Sequence, residues 1–193
     1  MTAKTQARSE DRHALISRLL LLIFTTAIIL LNSRTLGASG QGEIAWIQLG
    51  ILVITGLSGF LAGGTVVFLQ KEMPVWNTLL PGHLWLMVSA IFGTGLGTAL
   101  HFLPLSHFAF IATTGWMQGA IIFHGQILLA EQKIKSHNVL QVLQAGVLLM
   151  ILAALFNASE SPQVSDFLKA LAASLGFAFV ASFILVFRQV QRP

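Results

Sequence analysis

Long apolar stretches follow one another along this chain, joined by short polar segments. A helix needs about 18 or more mainly apolar residues to cross a hydrocarbon core about 30 Å thick. Six such stretches are marked out, at residues 14–31, 44–69, 79–103, 105–130, 139–156 and 167–187. The joints hold the residues that interrupt helices. A Gly- and Ser-containing turn precedes the second stretch, and Gln70-Lys71-Glu72-Met73-Pro74 follows it. Pro104 marks a tight turn after the third, and Pro162 lies in the acidic joint before the sixth. The pattern predicts an all-α polytopic membrane protein, a six-helix transmembrane bundle over residues 14–187. Residues 1–13 and 188–193 read as short polar tails, the first of them flexible.

Composition supports lipid as the main solvent. Of 193 residues, 55% are hydrophobic and 9% charged, which leaves no soluble domain of useful size. The purely apolar centre of the first stretch, Leu19 to Leu31, has the length of a signal-peptide core, with Ala38 in the small-residue segment behind it. Because further spans follow, a retained helix is expected.

Charge then orients the bundle. Lys4, Arg8, Arg12, Arg18, Lys71, Lys133, Lys135, Arg188 and Arg192 fall on the side of the amino terminus, and only Arg34 and Lys169 fall opposite. Short cytoplasmic loops carry the Lys and Arg excess, so both ends are predicted to be cytoplasmic, in a multi-pass protein of the cell (inner) membrane. The formal charge of +4 does not point to nucleic acid, because the basic residues are few and sit at segment ends. With no cysteine, disulfides, thiolate metal sites and thiol nucleophiles are excluded.

Membrane helices associate by close packing, and small residues four apart let their backbones approach. Three such pairs occur on successive spans: Gly59 with Gly63, Gly93 with Gly97, and Gly115 with Gly119. They predict that spans two to four form the packed centre and that spans one and six lie outside it.

No Asp, Glu, Lys or Arg lies at the centre of any span, which argues against a proton pump with a central carboxylate. Neutral polar residues and histidines remain. His83 and His101 are 18 residues apart on the third span, five turns or about 27 Å. If the third and fourth spans are antiparallel neighbours, His83 and His124 share the cytoplasmic side and His101 and His107 flank the external turn. Facing histidines could ligate a b-type haem, which would make the chain a non-catalytic membrane subunit of a larger complex. The plainer reading makes His101 and His107 interfacial and His124 a hydrogen-bonding partner of a neighbouring helix.

Gly56-Leu57-Ser58-Gly59 resembles the nucleophile segment of rhomboid proteases, but that family's upstream His and Asn are missing, so Ser58 is read as a packing residue. Phosphate-loop, dinucleotide and His-Glu-x-x-His motifs are also missing, and an enzyme is the least favoured class.

Gly93-Thr94-Gly95-Leu96-Gly97-Thr98-Ala99-Leu100-His101, a following span ending Leu129-Ala130-Glu131, and a further helix with Gly146 resemble a drug/metabolite transporter repeat of the EamA type, over residues 85 to 156. Where that family commonly has a proline in its fourth helix, this chain has Thr114-Gly115-Trp116. Full members carry two five-helix repeats, so the resemblance implies a small-solute carrier acting as a dimer. It places Thr94, Thr98, Thr114 and Gln118 along the solute path, near the midplane. The partners expected are the bilayer and a second copy or other membrane subunits.

Overall fold

In lipid every backbone polar group must be satisfied internally, which confines an apolar run to a helix or a closed barrel. The computed structural model is all-α. It describes residues 2–62, 64–69 and 73–190, with the side chains of 12–60, 65–68 and 73–188. Helix α1 runs Thr2–Ala62, α2 Gly64–Leu69, α3 Val75–Ala99, α4 Phe108–Ala130, α5 Ile134–Ala158 and α6 Val164–Val190, with a 3₁₀ turn at Leu105–His107 before α4. No strand occurs among the described residues.

Four helical segments are long and apolar enough to cross a membrane: residues 12–68, α3, α5 and residues 164–188. The first is 57 residues long, about 85 Å at 1.5 Å per residue, far more than one passage needs. Gly37 divides it. Its φ of 68° and ψ of −171° lie in a region open essentially to glycine alone. Leu21 and Gln48, on opposite sides of Gly37, line one cavity; on a straight helix they would stand about 40 Å apart. The chain therefore folds back at Gly37 into two arms, 2–36 and 38–62. The polar residues 2–13, expected as a flexible tail, belong to the helix of the first arm.

The turns gather at two ends. Near Gly37, Gly40 lies against Val164 at the start of α6, and Glu43 lies 3.8 Å from His107 in the α3–α4 turn. At the opposite end Trp76, opening α3, meets Phe187, closing α6, with ring centroids 5.6 Å apart.

Helix α4 is not among those four apolar segments and is the most enclosed of the long helices. It buries Ile111, Phe123, Ile127 and Leu128 together with Thr114 and His124, and it packs against α1, α3, α5 and α6. Polar and small residues are tolerated there because protein, rather than lipid, surrounds the helix. By contrast the rim is apolar outward, with Phe60 77% and Met150 66% exposed, as a lipid-facing surface requires.

The glycine pairs divide by environment. A Cβ at Gly93 would meet Leu57 and Ile54, one at Gly115 would meet Ile54 at 2.9 Å, and one at Gly119 would meet Leu86 at 3.0 Å with Ser58 just behind. Gly97 instead clears Leu103 of its own turn, at 2.7 Å. The second arm of α1 thus wedges between α3 and α4. Gly59 has open space and admits no such close approach, and Gly63 lies outside the described residues. Helix α6 is not peripheral: Phe167, Leu175 and Ala178 are fully buried because it packs on both α4 and α5. The first arm of α1 does lie outside, burying only Ile28 and Asn32 among its described side chains.

Candidate functional site

Two polar clusters sit inside this apolar bundle. The first is a cavity of about 480 Å³ bordered by both arms of α1, α4 and α5. Its polar lining is almost entirely carboxamide: Asn32, Gln41, Gln48, Gln118, Gln141 and Gln144, with Thr25 beside them. None of the lining residues is charged.

The chain's local geometry explains the convergence. Thr25 and Asn32 are seven residues apart, as are Gln41 and Gln48, so each pair lies on one face of its arm, two turns apart. The turn at Gly37 brings the two faces opposite each other. Gln141 and Gln144, three apart, do the same from α5, and Gln118 enters from α4. Gln118 is near the middle of α4, which places the cavity at mid-height.

Hydrogen bonding in the cavity is incomplete. Gln144 Nε2 donates to Gln118 Oε1 at 2.7 Å, Gln141 Nε2 to His137 Nε2 at 3.1 Å, and Thr25 Oγ1 to its own helix at Leu21 O. Asn32 Oδ1 and Gln41 Oε1 are buried without any partner. Unpaired buried polar atoms also occur at Trp85, Ser89, Thr98, Trp116 and His137; Trp85 and Ser89 border a second space of about 500 Å³ that is otherwise apolar, whereas Asn32 and Gln41 border the amide-lined one.

The second cluster is closed. His83 on α3 and His124 on α4 approach with Nε2 atoms 3.1 Å apart, and His124 Nδ1 lies 2.8 Å from Ser182 Oγ on α6. The Ser182 hydroxyl donates to Phe179 O at 2.8 Å, so its oxygen accepts from His124 Nδ1–H. His124 Nε2 then accepts from His83 Nε2–H. Phe123, Phe179 and Trp116 pack around the two imidazoles. Every hydrogen-bonding atom of His124 and Ser182 is engaged, in a chain that joins three helices.

The geometry of this pair gives haem no room. An iron held between two imidazoles needs their nitrogens about 4 Å apart, at roughly 2 Å per metal–nitrogen bond, and a porphyrin needs an open slot between them. Here the nitrogens bond to each other inside packed aromatic rings. His101 and His107 lie at the far end of the bundle: His101 is exposed at φ 60°, and His107 faces Glu43. The four histidines therefore do not converge, and no group of three or more potential metal ligands forms among the described residues.

Of the four side chains expected along a solute path, only Gln118 reaches the cavity. Thr94 Oγ1 donates to Ala90 O and Thr114 Oγ1 to Phe110 O, each turned back onto its own helix among packed neighbours. Thr98 lies beside a separate hollow near His101 and Pro104. Ser58, at the rhomboid-like segment, is buried and donates to Ile54 O with no histidine partner. No family model, no curated protein and no solved structure matches this chain, so the likeness of residues 85 to 156 to a transporter repeat rests on its own residues alone.

Proposed function

We propose that the chain is a six-pass protein of the cell inner membrane, with both ends in the cytoplasm, that binds and carries a small organic solute in the amide-lined cavity. The two arms of α1 count as the first two passages, and α3, α4, α5 and α6 as the rest. The observation that carries the reading is the cavity itself: a mid-height space in an apolar bundle, ringed by carboxamides, two of whose buried oxygens have no partner. Carriers place their sites near the bilayer midplane, and ligand sites of about 300–1,000 Å³ with a few convergent polar groups are the common form.

Charge supports the orientation. At the end with Trp76 and Phe187, the described side chains include Arg12, Arg18, Lys133, Lys135 and Arg188 against Glu131. The end with Gly37 has Arg34 and Lys169 against Glu43, Glu160 and Asp166. The cavity opens at the surface of the chain, where its lining residues Thr25, Ile29, Gln48, Ile122 and Gln141 are exposed; the size of the purified protein tells whether a second copy covers it.

Because the chain has no cysteine, single cysteines test the arrangement directly. In intact cells an impermeant maleimide is expected to label Ser106→Cys and to spare Ser136→Cys until the membrane is opened; the reverse pattern rejects the orientation. Solute-dependent thermal stabilisation of the purified protein supports the carrier. A stoichiometric membrane partner, with no solute effect, replaces it with the subunit reading.

A further inference from the structure

We infer that the cavity selects an uncharged polar solute, a small polyol or carboxamide, which the carboxamide side chains of its wall, Asn32 among them, hold by hydrogen bonds. This rests on the solute-binding reading above and narrows it to a chemical class.

Asn32 is 2% exposed, and its Oδ1 and the Oε1 of Gln41 both lack a partner. They stand five residues before and four after Gly37, so the fold-back of α1 sets them at one end of the cavity from opposite walls. Neither oxygen has surface open to the cavity, so a solute meets the carboxamides of the wall as a set, which both donate and accept. One bond, Gln144 to Gln118, crosses the cavity, and it uses neither the Gln118 amide nitrogen nor the Gln144 oxygen.

Charge argues for neutrality. None of the lining side chains is charged, and moving an ion out of water without a counter-charge costs several kcal/mol. Carbonyl dipoles can replace the water of a bare cation when they close around it, but a space of about 480 Å³ is too wide for that. A neutral molecule of several heavy atoms fits both the volume and the lining.

Substituted-cysteine kinetics test this whether or not the solute has been identified. Ala145→Cys places a thiol in the cavity wall and leaves every amide in place. It is treated with four methanethiosulfonates carrying a methyl, a hydroxyethyl, an ammonium-ethyl or a sulfonato-ethyl group, each rate normalised to free cysteine. The hydroxyethyl reagent is expected to react at least tenfold faster than either charged one. Adding Asn32→Leu should slow it at least threefold and leave the methyl reagent unchanged. Equal rates for charged and neutral reagents overturn the neutral-solute inference while leaving solute access intact. An Asn32→Leu effect equal for methyl and hydroxyethyl overturns the hydrogen-bonding role of Asn32. Failure of all four reagents, with the protein folded and monodisperse, overturns the solute-binding reading itself.

Discussion

The two polar clusters of this bundle are built from similar material and differ in whether they are finished. In the His83–His124–Ser182 chain each donor of His124 and Ser182 finds an acceptor within 3.1 Å, and aromatic rings exclude everything else. In the amide cavity two acceptors are left over and the space between the walls is open. A satisfied buried network rigidifies the helices it joins, whereas an unsatisfied one is costly unless something else completes it. The first therefore reads as a staple across α3, α4 and α6, and the second as a place for a ligand.

Breaking the staple should have the largest effect. His124→Leu strands the His83 donor and removes the partner of Ser182, and two orphaned groups at about 1–3 kcal/mol each give an expected loss of about 3 kcal/mol. Unfolding of the purified protein in detergent measures it. A loss below about 1 kcal/mol would show that the chain is not a structural staple. Gly37→Ala comes next. Nothing lies within 4 Å of the added methyl, so any cost is backbone strain, about 2 kcal/mol for a residue other than glycine held in this region. The same substitution should widen the angle between the arms of α1. It should therefore change Ala145→Cys reactivity, which His124→Leu should leave alone.

Much of this architecture is readable from the chain, and its limits are physical. Apolar runs fix where helices form because lipid leaves the backbone no alternative. The ends differ, as at His101, where the backbone turns at φ 60° and α3 stops at Ala99 rather than at residue 103. His83 and His124 could be placed on the same side of the bundle from helical rise alone. Ser182 could not, because nothing local ties α6 to α4. The amide cavity escaped because its signal is split: Thr25 with Asn32 and Gln41 with Gln48 are each a seven-residue spacing, and they face each other across one space only if Gly37 reverses the chain. Thr94 and Thr114 stay out of the amide cavity for a related reason. A hydroxyl in an apolar helix can satisfy itself on the carbonyl three or four residues back, as Thr94 and Thr114 do, whereas a carboxamide is more demanding and must look outward. Gly59, set in the same spacing as Gly93 and Gly115, faces open space, since spacing identifies a smooth helix face without saying whether anything covers it.

A gentler cut at the staple separates its two bonds. Ser182→Ala leaves the His83–His124 contact in place and removes only the acceptor of His124 Nδ1–H. Interhelical polar contacts in membranes average about 0.6 kcal/mol and reach about 1.7, and the dry, aromatic setting argues for about 1 kcal/mol here. Ser182→Thr retains the hydroxyl and should recover most of that loss; equal losses in both variants would assign the effect to packing on α6 rather than to the hydrogen bond.

The smallest effect should come from the one complete bond inside the cavity, and it carries the comparison furthest. Gln118→Ala removes the acceptor of Gln144 Nε2, a contact of 2.7 Å that is shorter than either bond of the histidine chain. Judged by distance alone it should cost more than Ser182→Ala. In an open polar space, however, water can take the vacated position and a water-mediated bond is nearly as favourable as a direct one, so the expected loss is under about 0.5 kcal/mol. The order of the two losses is the decisive quantity. If Gln118→Ala destabilises the protein more than Ser182→Ala, the cavity is dry and its amides are scaffold. If it destabilises less while changing reagent access at Ala145→Cys, openness to solvent rather than bond length separates the site from the staple.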